Sequence, residues 1–321
     1  MRIEFLQAGT GDSIWISHHK TNIIVDGGKS ADAIKERLDQ MPEDENIDLL
    51  IVTHIDSDHI AGVIALVDKL QEQTELNRLK RVWFNFPKQE ETGEYSVSEG
   101  NALSTRLCKI DGLCWCNNTS NMIGHEVVIG EIHLHVLAPD HDVACEYKPK
   151  APDELGVVNA DWNVELKTLV DHVDDDDLDN GGPNSQSIVI VMECEGKRVL
   201  LPGDCTPNEL LVALKAYKSV NDAPLKLDLM KLPHHGSARN ITKDIMTEVA
   251  CSNFVISTNV NKKYLFPNKE SIAKLISYRN CAEETINVHF NYREALDLLN
   301  ISKKEQADNN IKLTDCREFS I

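Results

Sequence analysis

Apolar and polar residues along this chain alternate at two periods, and the change of period marks out strands and helices. The opening "RIEFLQ" and "IWIS" read as strands joined by the Gly-rich turn "GTGDS", and "NIIVDGG" as a third strand after the turn "HHKTN". "SADAIKERLDQM" shifts to helical spacing. The buried-type strand "LLIVT" follows the acidic loop "PEDENID", and "HIAGVIALVDKLQEQ" returns to helical intervals. A strand "RVWFNF", a helix around "SEGNALSTRLCKIDGL" and a hairpin across "HEVVIGEIHLHVLAP" come next. Residues 140–183 keep no period and contain the acidic run "DHVDDDDLDNGGP". Order resumes with the hairpin "SIVIVMECEGKRVLLPGD", the helix "TPNELLVALKAYK" and a strand in "LKLDLMKLPHHGS". The helix "ITKDIMTEVA", the strand "NFVISTN" and the helix "NKESIAKLISYRN" then follow. There is no internal repeat and no low-complexity linker. The succession predicts an α/β fold of two mixed sheets covered by outer helices.

Composition narrows the setting. At 321 residues the chain has ample material for a core, and 41% hydrophobic with 26% charged residues is ordinary for a globular protein. No apolar run approaches the roughly 18 residues of a membrane span, and the first residues lack a signal-peptide core. Nine scattered cysteines, an odd number, suit reduced thiols, so a cytoplasmic location without membrane contact is expected. The net charge of −19 repels polyanions at long range. A nucleic-acid substrate therefore needs a local basic patch or bound metal.

The candidate chemistry starts at the end of "LLIVT". His54, Asp56, Asp58 and His59 form H-x-D-x-D-H where a strand gives way to a helix. Imidazole and carboxylate together suit a borderline divalent ion, and carboxylates this close repel unless a cation lies between them. "VLLPGDC" ends a buried strand at Asp204, and "LMKLPHHGS" ends another at His234 and His235. Three strand ends, each carrying Asp or His into a loop, have the form of a dinuclear metal site.

These residues, with "QAGTGDSIWI", "NIIVDGG", "THIDSDHIAG" and "NSQSIVI" in the same order, resemble the metallo-β-lactamase-fold hydrolases. Within them it resembles the branch of the C-terminal domain of ComEC-type DNA-uptake proteins. The resemblance is clearest over residues 1–280; we read 1–321 as a single domain in which 281–321 is a C-terminal extension. It implies an αββα sandwich with metals at one edge of the two sheets. It also implies one ion on His54 and Asp56, a second on Asp58 and His59, and Asp204 bridging them. A liganding histidine directly before glycine points to His235, with His234 facing substrate as an acid; the reverse assignment stays open. Asp12 and Asp26 match turns near the site, as orienting groups or as plain turn residues.

The chain also departs from its relatives. Asp56 stands where the common H-x-H-x-D-H version has histidine, as in the ComEC-type branch. "PNSQS" replaces an intermediate histidine and brings Asn184 and Ser187 toward the metals. Phe266 in "KKYLFPN" takes the place of a histidine before proline. Oxygen-rich ligation makes Mn2+ a rival to Zn2+ for the two divalent ions.

Other signals are weaker. "LCWC" at 113–116 with "HLH" at 133–135 is weighed as a second zinc site against plain strand alternation, and Cys205 as redox-sensitive against inert. The acidic loop at 171–179 is weighed as solvated against binding a cation or regulating access. Lys231, Arg239, Lys262 and Lys263 are candidates for receiving phosphate charge.

The resemblance favours a phosphodiesterase or nuclease working through a metal-activated hydroxide, with Asp58 and His234 catalytic. Its substrate would be nucleic acid or a small nucleotide-type phosphodiester. The alternatives are a lactone or thioester hydrolase, or a non-catalytic metal-dependent binding or sensor component of a multi-protein bacterial system. Protein partners or a homo-oligomer are left open.

Overall fold

Alternation on the strands decides which side chains enter which layer. The computed structural model describes residues 1–86, 95–140, 160–217, 224–280 and 284–321. Its strands are β1 (Arg2–Phe5), β2 (Ile14–His18), β3 (Thr21–Val25), β4 (Leu49–Val52), β5 (Arg81–Phe84) and β6 (Cys114–Cys116). They continue with β7 (Glu126–Ile129), β8 (Ile132–Ala138), β9 (Val189–Cys194), β10 (Lys197–Leu201), β11 (Leu225–Lys226) and β12 (Leu229–Lys231). The last are β13 (Val249–Ala250), β14 (Asn253–Ile256), β15 (Ile286–Phe290), β16 (Ile311–Asp315) and β17 (Glu318–Ser320). One mixed sheet has the order β17-β1-β2-β3-β4-β5-β6, and the other β16-β15-β14-β12-β10-β9-β8-β7.

The two sheets face each other across one apolar layer. Val25, Leu49 and Ile51 from the first sheet meet Ile190, Met192, Val199 and Leu201 from the second. Their neighbours one residue away, Ile24, Leu50 and Val52, point outward. There they pack under α1 (Asp32–Asp39), α2 (Ser57–Glu72) and α3 (Tyr95–Leu107). The outer face of the second sheet carries Val191, Leu200, Met230 and Phe254 beneath α4 (Leu166–Asp171), α5 (Pro207–Tyr217), α6 (Lys243–Glu248) and α7 (Lys269–Tyr278). The fold is therefore helix, sheet, sheet, helix, the α/β metallo-β-lactamase architecture that the resemblance implied. Each fully buried Ile or Leu in these layers contributes roughly 1.5–3 kcal/mol over an exposed one.

Two features depart from the simple pattern. "LKLDLMK" is not one strand: β11 pairs with β13 as a separate ribbon, and β12 joins the large sheet. Between them Asp228 hooks onto β10, its N–H donating to Arg198 O at 2.9 Å and its carboxylate accepting from Arg198 N at 3.0 Å. Residues 286–320 are woven into both sheets, β15 and β16 at the edge of one and β17 beside β1 in the other. Among the described residues no helix is long and apolar enough to cross a membrane.

The strand directions place the chemistry. β3 and β4 are parallel, and so are β10, β12 and β14. Asp26, His54, Asp204, His235 and Ser257 therefore all follow strand C-terminal ends at one edge of the sandwich. The β1–β2 turn reaches the same edge, because Phe5 pairs with Ile14 and Ile14 with Val25.

Candidate metal centre

Two close backbone contacts build the floor of this edge. A Cβ on Gly11 would lie 1.5 Å from Asp58 O, so only glycine lets the β1–β2 turn press against the start of α2. A Cβ on Gly62 would lie 1.8 Å from Gly27 O, which brings α2 onto the turn after β3. Asp26 at φ 57°, His234 at 47° and His235 at 57° occupy the left-handed region that non-glycine residues seldom adopt. Tertiary contacts hold them there.

The hydrogen bonds turn three imidazoles the same way. Asp26 accepts from Thr53 N at 2.8 Å, from Thr53 Oγ1 at 2.6 Å and from His59 Nδ1 at 2.8 Å. The Thr53 hydroxyl has thereby spent its one hydrogen, so at 3.0 Å it accepts from His54 Nδ1. His235 Nδ1 donates to Ser257 O at 3.1 Å, since a carbonyl only accepts. All three rings thus use Nδ1 as a donor and keep Nε2 for the interior of the site. This is the arrangement by which outer hydrogen bonds orient histidine ligands.

The Nε2 atoms meet carboxylates. His235 Nε2 lies 3.0 Å from Asp204 Oδ2 and 3.6 Å from Asp58 Oδ2, and His59 Nε2 lies 3.2 Å from the same Asp204 oxygen. His59 and His235 are 3.4 Å apart at Nε2, and the His54 and His59 ring centroids are 4.2 Å apart. His54 Nε2 is buried with no hydrogen-bond partner, and Asp56 Oδ2 stands 4.0 Å from it. Asp204 Oδ1 is also without a hydrogen bond. Ligand atoms held about 2.0–2.2 Å from a tetrahedral ion stand roughly 3.4 Å apart, so these separations fit a divalent cation.

The electrostatics agree. Burial, then the neighbouring His59, pushes His54 down to about 3, so it is neutral and ready to ligate. Burial would also favour neutral His235, but Asp204 and Asp12 outweigh it and raise the ring to about 10. His59 is raised well above its usual value against the same burial penalty, by Asp204 and Asp26. Asp204 is driven far down despite burial, by His235, His59 and His234. Without an ion the carboxylates hold protons on the rings; a divalent cation would take the place of those protons.

Asp12 sits on the other side of His235, 3.7 Å from Nδ1, and grips Lys231 Nζ at 2.7 Å. Asp12, His59, Asp204 and His235 form one fully buried group whose ligand atoms lie within 4.8 Å of one another. Asp56 and Asp58 are at the mouth, with side chains 19% and 27% exposed, where a substrate could reach them. Of the histidine pair, His235 is inside the group. His234 is at the rim, its Nε2 3.9 Å from Asp204. Ser187 Oγ is 3.4 Å from His54 Nδ1 and accepts from Asp204 N at 3.3 Å. Phe266 covers His234, with ring centroids 4.9 Å apart.

Several residues take roles the sequence did not announce. Lys231 is not a phosphate receiver: it is fully buried, and Nζ donates to Gly203 O at 2.8 Å while facing Asp12. Arg239 is exposed and held by Asp177 at 2.9 Å. The acidic loop is stitched into the fold. Asp175 accepts from Lys274 Nζ and from Tyr278 OH, each at 3.1 Å. Asp179, from the same loop, is buried and lies 3.1 Å from His234 Nδ1 while accepting from Asn184 and Asn240 at 2.9 Å. A buried carboxylate 55 residues from its histidine leaves no local signal. Thr53 and Ser257 were missed for the same reason. Cys205 is buried, and that burial, then Glu209 and Asp179, pushes its thiol far up, which suits an inert group. Cys114 and Cys116 lie on the seven-stranded sheet and His133 and His135 on the other, and no described metal-ligand group contains them.

Comparison with known proteins gives the same architecture. Residues 6–246 match the model of the metallo-beta-lactamase superfamily. ComE operon protein 3 of Bacillus subtilis (strain 168) is 20% identical over 297 residues, a distant homologue. The match covers 85% of this chain but only 30% of that protein, so the chain spans about a third of its relative's length. Zn(2+)-bound PqqB from Methylobacterium extorquens superposes with a TM-score of 0.48 at 12% identity, covering all of both chains. The metallo-beta-lactamase fold protein YhfI from Bacillus subtilis gives 0.47 at 8% identity, covering 99% of this chain and 98% of its own.

Proposed function

The chain belongs to the metallo-beta-lactamase superfamily, and from that premise we propose that it is a two-metal hydrolase of phosphodiesters. The observation that carries the reading is the meeting of His59 and His235 Nε2 on Asp204 Oδ2, at 3.2 and 3.0 Å, with Asp58 3.6 Å from His235 and Asp56 4.0 Å from His54. His54, Asp56, Asp58, His59, Asp204 and His235 would hold two divalent ions, Zn2+ or Mn2+. Ions so held would lower the pKa of water and neutralise a developing oxyanion.

The remaining work falls to the protein. Asp26, Thr53 and the Ser257 carbonyl keep the imidazoles from rotating. Asp58, at the mouth with its Oδ2 3.6 Å from His235 Nε2, accepts a hydrogen bond from the attacking water and aims its oxygen at phosphorus. In its imidazolium form His234 donates a hydrogen bond from Nδ1 to Asp179, and its Nε2 gives its proton to the leaving oxygen, leaving the ring neutral with its hydrogen on Nδ1. Phe266 covers one side of that ring and limits its access to water. The resemblance to ComEC-type DNA-uptake proteins is what favours a phosphodiester over a carbonyl substrate. The net charge of −19 favours small nucleotide-type diesters over long nucleic acid.

The test is turnover of bis(p-nitrophenyl) phosphate, a cyclic dinucleotide and a DNA oligonucleotide by protein reloaded with Zn2+ or Mn2+. Asp58→Asn should reduce kcat by roughly a hundredfold or more with the fold intact. Protein with both ions bound that cleaves acyl esters and no phosphodiester refutes the substrate class. Cleavage of neither refutes the hydrolase and leaves a binding role.

A further inference from the structure

A second cluster of metal-binding side chains lies at the far edge of the sandwich. β10 runs from Lys197 to Leu201 toward Asp204, and Cys194 pairs with Lys197 at its start. Likewise His18 pairs with Thr21, at the opposite end of β3 from Asp26. About 13 Å of strand therefore separates this edge from the hydrolase centre. Here the last residue of β2 is His18, the β2–β3 turn carries His19, and the β7–β8 turn carries Glu131. The two turns belong to different sheets and touch: a Cβ on Gly130 would lie 2.1 Å from Thr21 Oγ1.

We propose that His18, His19 and Glu131 bind a borderline divalent ion such as Zn2+, which clasps one sheet to the other. His18 Nε2 is 3.5 Å from Glu131 Oε2, and His19 Nε2 is 3.8 Å from Glu131 Oε1. All three ligand atoms lie within 4.8 Å of one another. Two ligands on a tetrahedral zinc stand roughly 3.4 Å apart, so a small inward movement of Glu131 completes the set.

The independent observation is the state of His18. Its side chain is 8% exposed, and its Nε2 is buried with no hydrogen-bond partner. Buried polar atoms are nearly always satisfied, and an ion between His18 and Glu131 satisfies this one. His19 adds to the case. It holds φ 51° in a two-residue hairpin turn, where glycine or asparagine would be the relaxed choice. Two imidazoles and a carboxylate favour Zn2+ over Mg2+ or Ca2+. Glu131 and His19 are 67% and 69% exposed, which leaves the fourth position to water. Cys194 and Glu195 also lie within 4.8 Å of His18, but they stand apart from His19 and Glu131 as a separate group.

The experiment uses the whole chain, free of any histidine tag and stripped with chelator, dialysed against Zn2+ and analysed for bound metal. Glu131→Gln and His19→Asn lie at exposed turns and should each hold one ion fewer than the parent. Asp204→Asn should keep the far-edge ion while losing metal from the hydrolase centre. Zn2+ should also raise the thermal midpoint of the Asp204→Asn protein, and Glu131→Gln in that background should abolish the rise. Equal stoichiometry and equal midpoints in the Glu131 and His19 variants overturn the proposal. Loss of the ion in Cys194→Ser with a native circular-dichroism spectrum overturns this ligand set.

Discussion

Replacing Lys231 by methionine tests whether the charges of the first centre are held as the structure places them. Lys231 lies on β12 with its side chain fully buried, 2.7 Å from Asp12 and 3.6 Å from Asp204. At an effective dielectric constant near 20, a pair 2.7 Å apart attracts by about 6 kcal/mol before desolvation is counted. Methionine keeps the length and apolar stem of the side chain but leaves Asp12 buried without its cation. Burial pushes Asp12 up, and Lys231, then His235 and His59, pull it down to about 2. Breaking a buried pair from one side costs about 3–5 kcal/mol. Such a loss lowers the thermal midpoint by roughly 4–7 °C in a chain of this size. The assay is urea and thermal unfolding in the presence of chelator, so that no bound cation compensates the lost charge. Lys231→Met with Asp12→Asn removes both charges and should recover at least half of the loss, a coupling that a double-mutant cycle measures. A single-variant loss below about 1 kcal/mol, or a double variant no better than the single, would refute the buried-pair account.

Asp26→Asn should weaken metal binding at the centre by about 10–100-fold, measured by chelator competition, because it loosens both His59 and the Thr53 hydroxyl that fixes His54. Unchanged affinity would mean that Asp26 only shapes its turn. Asp179→Asn should lower kcat by about a hundredfold with metal content unchanged, since it withdraws the group that fixes His234. Burial raises Asp179, but His234, Asn240 and Asn184 bring it from 3.8 to about 2. Its stabilisation is therefore complete above pH 4 and lost as pH falls toward 2, so the variant should flatten that part of the acid-unfolding curve. Gly62→Ala should destabilise by about 1–3 kcal/mol in urea unfolding, although the same change inside an ordinary exposed helix gains about 1 kcal/mol. A gain here would disprove the close contact between α2 and Gly27.

The strands, the helices around α2 and the three loops carrying His54 to His59, Asp204 and His234/His235 were all legible along the chain. Each is a local event: a run of apolar residues ends, a polar cluster follows, and glycine or a helix start turns the chain. The same reading could not see that Lys231 is buried, because its burial depends on β12 lying between β10 and β14. Nor could it choose between His234 and His235. Two adjacent left-handed residues send their rings apart, one to Asp204 inside and the other to Asp179 at the rim. The acidic loop reads as solvated charge until α7 and the turn after β12 supply Lys274, Tyr278, Asn240 and His234 to receive it.

What residue type and spacing settled here was the kind of chemistry, imidazoles and carboxylates at strand ends, and the layered fold that presents them. Folding decided which nitrogen of each ring faces inward, which carboxylate is buried, and which charge neutralises which. Those outcomes depend on pairing between strands far apart in the chain and on the low dielectric between two sheets. Alternation along a single strand carries information about neither.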